Sequence, residues 1–226
     1  MINKKIWPKI FLIYSYIVMG VPYAWGLTAA ELQQKILEQD GKLMSAQFEY
    51  VQEMRSSQTP EMIESKGKVY YQRPKKLRIE MESPERQVIV TQGKSVFIYT
   101  PRFNQVLKTS WKNWSEKDVF LLLPGFFGSS GALEQLKKDY VWNVESRENL
   151  NDEETVAVRL QSSAQDSNKV VSLWLGAEDF VPRKVQVASE SLLWVISLVS
   201  LKLNGTLDPQ IFKFSPPKDA ALIHVP

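Results

Sequence analysis

The feature that most restricts this chain is an alternation of apolar and polar residues with a period of two, repeated in short bursts. Phe48, Tyr50 and Gln52 alternate with Gln47, Glu49 and Val51. Similar runs cover residues 66–72, 77–81, 87–91, 96–99 and 105–109, and, after an interruption, 140–146, 155–161, 169–175, 183–189 and 193–203. Side chains on a strand point alternately to opposite faces, so each run offers one face to a core and one to water. Gly93-Lys94 and Thr100-Pro101 supply turns between runs. Short strands at such close, regular spacing imply an antiparallel sandwich or barrel of about eleven strands.

Helical signals precede and interrupt the strands. Residues 33–43 read as a helix. Leu32, Ile36, Leu37 and Leu43 fall near one face, and Thr28 with Glu31 has the spacing of a capping box. Ser115 is a good N-cap for a second helix, whose residues 119–123 are wholly apolar before Pro124-Gly125 ends it. Residues 132–138 add one or two further turns. A helix apolar on all sides must be covered by something. Its plainest role is to plug the sheet as core; its functional role would be to share that space with a removable lipid. No internal repeat and no Gly/Pro linker divides residues 27–226, which we read as one domain.

Residues 1–26 differ from the rest. Lys4, Lys5 and Lys9 precede an apolar run over 10–21, and Ala24-Trp25-Gly26 offers small residues two apart. This order reads as a secretory signal peptide, and the apolar run is shorter than the roughly 20 residues of a membrane span. The three lysines account for the whole positive excess of the chain: the remaining 25 basic residues are matched by 25 acidic ones. With no basic block interleaved with aromatics, nucleic-acid binding is not expected. Cysteine is absent. An exported chain without disulfides depends on its core and ladders alone. It also lacks the residue through which bacterial lipoproteins are acylated, so the expected product is a periplasmic protein without that anchor.

Catalytic chemistry finds little support. The lone histidine, His224, lies on what reads as a frayed tail, a poor place for a general base. Asp152-Glu153-Glu154 is the densest acidic run and reads as a solvated turn rather than a metal site. Glu80 and Glu82 share the wet face of a strand. Residues 125–131 lack the lysine and spacing of a phosphate loop. We expect neither an enzyme nor a cofactor; a hydrolase would need polar side chains clustered inside the barrel. What the chain does supply is apolar surface, with 7 Trp, 8 Tyr and 10 Phe. An eleven-stranded sheet that closes incompletely encloses more space than its own side chains fill.

Three motifs point to a family. Arg73-Pro74 is followed by the strand Lys75-Lys76-Leu77-Arg78-Ile79-Glu80-Met81 and a turn at Pro84. Gly93-Lys94-Ser95-Val96-Phe97-Ile98-Tyr99-Thr100-Pro101 then forms a hairpin and an aromatic-rich strand. Phe212-Lys213-Phe214-Ser215-Pro216-Pro217 follows near the end. The set resembles the LolA family of lipoprotein carriers, departing at Gln92, where the family commonly has Asp. The resemblance implies an unclosed antiparallel β-barrel with an α-helical lid. It implies a monomer that accepts lipoproteins from an inner-membrane ATP-driven releasing complex and delivers them to an outer-membrane receptor. That receptor is itself a lipoprotein, so the missing cysteine favours the carrier. The alternative is a sensor or structural module of the same fold that binds lipid or lipopeptide. Arg73 matches the family arginine that bonds to the lid helices in the closed form. Leu77, Ile79 and Met81 are expected to point inward, with Arg78, Glu80 and Glu82 outside. Phe48, Val88, Val90, Val96 and Ile98 join the expected cavity, and Phe120, Leu121, Leu122 and Leu123 the expected lid.

Overall fold

A computed structural model describes residues 26–111, 132–164 and 168–225. Residues 1–25 of the expected signal, and the segment with Phe120, Leu121, Leu122 and Leu123, expected to form an apolar helix, lie outside the described residues. The chain opens with α1 (Ala29–Lys42) and continues as a meander of β1 (Ser45–Ser56), β2 (Thr59–Gln72), β3 (Lys76–Ser83), β4 (Gln87–Gln92), β5 (Ser95–Thr100) and β6 (Gln105–Ser110). After α2 (Ala132–Asp139) a second meander follows: β7 (Tyr140–Leu150), β8 (Glu153–Ser162), β9 (Val170–Gly176), β10 (Pro182–Ala188) and β11 (Leu192–Leu203). A 3-10 turn (Pro209–Phe212) and β12 (Ala221–His224) complete it.

Twelve strands form one sheet in the order β12-β6-β5-β4-β3-β2-β1-β11-β10-β9-β8-β7. The two meanders join where β1 pairs antiparallel with β11. Strands β7 and β12 stand at opposite edges, so the sheet is mainly antiparallel and unclosed. All eleven expected strands are present. The twelfth, β12, runs parallel to β6 and pairs His224 with Lys108. His224 is therefore not on a frayed tail. A strand of four exposed residues has no alternation by which a sequence reveals it.

Register sorts the side chains into two faces. One row runs Phe48, Val69, Ile79, Ile89, Ile98 and Leu107 across β1 to β6. Another runs Ile196, Val185, Leu173, Val158 and Val144 across β11 to β7. These rows form the inner face. Leu32 and Ile36 of α1 and Leu133 of α2 pack against it in a single core. Burying each such side chain contributes roughly 1.5–3 kcal/mol.

The other face corrects one expectation. Val90 pairs with Arg78 and Phe97, and Val88 with Glu80 and Tyr99, so both valines face outward with the charged residues of β3. The segment after β11 covers them there. Phe214 stacks 5.7 Å from Phe97 and 6.1 Å from Tyr99, and Arg78 donates to the Ile211 carbonyl at 3.2 Å. Because this strap buries the outer side of β4, Val88-Ile89-Val90 is apolar on both faces and its alternation disappears.

The meander needs a glycine at one crossing. A Cβ on Gly67 would collide with the Glu80 carbonyl oxygen and lie 2.8 Å from Cε1 and Oη of Tyr50. We expect Gly67→Ala to destabilise the fold by about 1–3 kcal/mol, read as a lower urea midpoint; an unchanged midpoint would show that β2 and β3 separate freely there.

Candidate functional site

The site is the inner face with the helices that lie on it. Helix α1 is set at its first turn by the expected capping box. The Thr28 backbone N–H donates to Glu31 Oε2 at 2.8 Å, and the Glu31 N–H donates to Thr28 Oγ1 at 3.2 Å. The Thr28 N–H and, at 2.9 Å, the Thr28 hydroxyl both donate to this carboxylate and, with Lys35 nearby, hold it below the usual carboxylate range. The apolar side of the helix then faces the sheet, and Leu32 and Ile36 are almost wholly buried.

Arg73 binds the other end of α1. Arg73 Nε donates to the Leu43 carbonyl at 2.9 Å. Its Nη2 donates to the Asp40 carbonyl and lies 3.4 Å from Asp40 Oδ2. The last carbonyls of a helix have no partner within it. A guanidinium meets several at once with its fixed fork of donors and places positive charge at the negative end of the helix dipole. Arg73 sits where β2 ends, so sheet and helix are joined at this point. The residue matched to the family latch thus contacts the C-terminal end of α1.

Phe48, Leu77, Ile79 and Val96 lie buried on the inner face, 1%, 1%, 1% and 0% exposed. Met81 and Ile98 share that face and are half-buried. Sequence reasoning missed half of the lining. Ile196, Val185, Leu173 and Val158 are as buried as the β3 residues, and the same alternation marks them. It also missed Tyr50 and Tyr71, whose rings are buried among them.

A groove of about 1030 Å³ opens beside the first turn of α1, between Leu27, Lys35, Val144, Arg147, Val156 and Phe180. Val156 also belongs to the core, so the groove reaches the inner face at the end of α1 far from Arg73. The acidic run offers no cation site. Asn151 and Asp152 form a tight turn with φ of 52° and 64°. Glu153 is bound by Arg183 at 2.8 Å and Glu154 by Arg147 at 3.0 Å. Among the described residues no group of His, Asp and Glu side chains is arranged to hold a metal ion.

A helix-covered apolar face on an unclosed sheet is a place for hydrocarbon, and the sequence agrees. The family model described as outer membrane lipoprotein carrier protein LolA matches residues 41–215. The chain belongs to the LolA family. An outer-membrane lipoprotein carrier protein of Glaesserella parasuis is 26% identical over 90% of this chain and 88% of its own length. One of Chromohalobacter salexigens is 30% identical over 71% of each. A solved structure of an uncharacterized conserved protein from Thermus thermophilus shares the fold, with a TM-score of 0.57, 17% identity and coverage of 85% of this chain and 98% of the other. LolA is a family of lipoprotein carriers rather than of enzymes.

If Arg73 is what holds the LolA-type lid at this end, its removal must loosen α1 without loosening the sheet. We expect Arg73→Leu to speed amide hydrogen exchange in residues 38–43 at least tenfold while β8 to β11 keep their protection. Uniform acceleration would mean that Arg73 supports the whole fold instead.

Proposed function

We propose that the chain is a periplasmic carrier. It takes the acyl chains of lipoproteins onto the inner face of its sheet and hands them to an acceptor at the outer membrane. The observation that supports this best is the pairing of a mainly apolar inner face with an amphipathic helix whose C-terminal end is bound by Arg73. Three acyl chains in water are costly, at about 0.8 kcal/mol for each exposed CH₂. A carrier must hide them and still let them go. Here the empty protein covers its own lining with Leu32, Ile36 and Leu133. Cargo displaces those side chains, so whatever stabilises the covered form subtracts from cargo affinity.

The donor is an inner-membrane ATP-driven complex that releases lipoproteins, and the acceptor is an outer-membrane receptor. The carrier works as a monomer between them. The ATP-driven donor supplies the energy for loading, and hand-over then runs downhill without a cofactor because the returning helix weakens the grip on the cargo.

The latch gives the sharpest test. Arg73→Leu removes hydrogen bonds from the covered form alone, each contributing about 0.5–3 kcal/mol. A loss of about 1.4 kcal/mol would tighten the hold on cargo tenfold. We expect the variant to load with lipoprotein as wild type does and to release it to the receptor about tenfold more slowly, measured as transfer over time. Poor loading followed by normal transfer would show that Arg73 touches cargo and is not a latch.

A further inference from the structure

We propose that the Tyr50 hydroxyl donates a hydrogen bond to an ester carbonyl at the head of a bound acyl chain. The inference rests on the carrier reading and adds a polar contact that selects acyl esters over plain hydrocarbon.

Tyr50 lies near the middle of β1 on the inner face, paired with Gly67 of β2 and Leu198 of β11. It is 1% exposed, in the same core as Phe48, Val69 and Leu198. Its hydroxyl has no hydrogen-bond partner among the described residues. The position of that oxygen is not left to chance. The ring packs against Gly67, where a Cβ would come within 2.8 Å of both Cε1 and Oη. Gly67 thus provides the space in which the hydroxyl lies. Burial and, secondarily, the negative charge of Glu82 push its pKa up to about 12. A raised pKa keeps the group protonated at any physiological pH, so it remains a donor.

A buried hydroxyl without a partner is a penalty to the empty protein. Phenylalanine would fill the same volume without it, and Phe48 shows that a plain ring suits this face. The hydroxyl becomes favourable only in a state that brings an acceptor. Hydrocarbon brings none. An ester has acceptors only, so a donor must come from the wall. Once α1 and α2 leave the face, Tyr50 presents such a donor beside Ile196, Val69 and Ile79, with Gln52 and Ser65 next to it on the same face.

The test uses the full mature protein, a synthetic diacylated lipopeptide with two ester links, and its analogue in which each ester is replaced by a hydrocarbon link that carries no acceptor. Affinities are measured for wild type and Tyr50→Phe, with a urea titration of each empty protein. We expect the variant to bind the ester ligand about fivefold to tenfold more weakly. It should bind the hydrocarbon-linked ligand as wild type does and have a urea midpoint no lower than wild type. Equal affinities for the ester ligand would overturn the inference, as would equal losses for both ligands, which would assign Tyr50 to packing alone. If wild type binds neither ligand, the carrier reading itself falls, and the inference with it.

Discussion

A twelve-stranded sheet with one apolar face exposes that face to water unless another body lies on it, and this requirement shapes the rest of the molecule. Closed barrels solve the problem by wrapping the face around itself. Here β7 and β12 stand at opposite edges, so the cover must come from elements outside the sheet. Helices α1 and α2 supply it through Leu32, Ile36 and Leu133. Because hydrophobic burial is non-directional, the same lining accepts a helix side chain or an acyl chain on nearly equal terms. That equivalence makes exchange between them feasible.

In the carrier proposed above, what decides between the two occupants is something directional. The contacts of Arg73 with the Asp40 and Leu43 carbonyls have that character. They satisfy helix-end groups that would otherwise need water or a cap, and they exist only when α1 lies on the sheet. The capping box at the other end has a different job. Thr28 and Glu31 bond to one another within α1, so they preserve the helix as a unit whether or not it is docked.

The outer face is treated in the opposite way. The segment after β11 lays Phe212 and Phe214 over β3, β4 and β5, and Val90 and Val106 are as buried there as any core residue. Arg78 and Gln92 bind its carbonyls at 3.2 and 3.1 Å. With Ile89 and Thr91 buried on the inner side and Val90 under the strap, the middle of β4 is covered on both faces.

The division between sequence and tertiary structure follows from this arrangement. Where one strand face meets the core and the other meets water, alternation is visible in the sequence alone, as in Leu77, Ile79 and Met81 against Arg78, Glu80 and Glu82. Capping is equally local, so Thr28 and Glu31 announced the start of α1. Arg73 was legible through its motif, because the Arg-Pro pair stands at a fixed place before a recognisable strand. The sequence could not assign Val88 and Val90 to a face. Their burial depends on a strap more than a hundred residues away, and a strand covered on both sides loses its period. Nor could it single out Tyr50, since one aromatic on an apolar face looks like any other until its neighbours are known. Only the register that sets Tyr50 opposite Gly67 decided where that hydroxyl lies. Local chemistry thus determined the elements and their faces, while contacts distant in sequence decided which face was covered, by what, and which polar atoms were buried there.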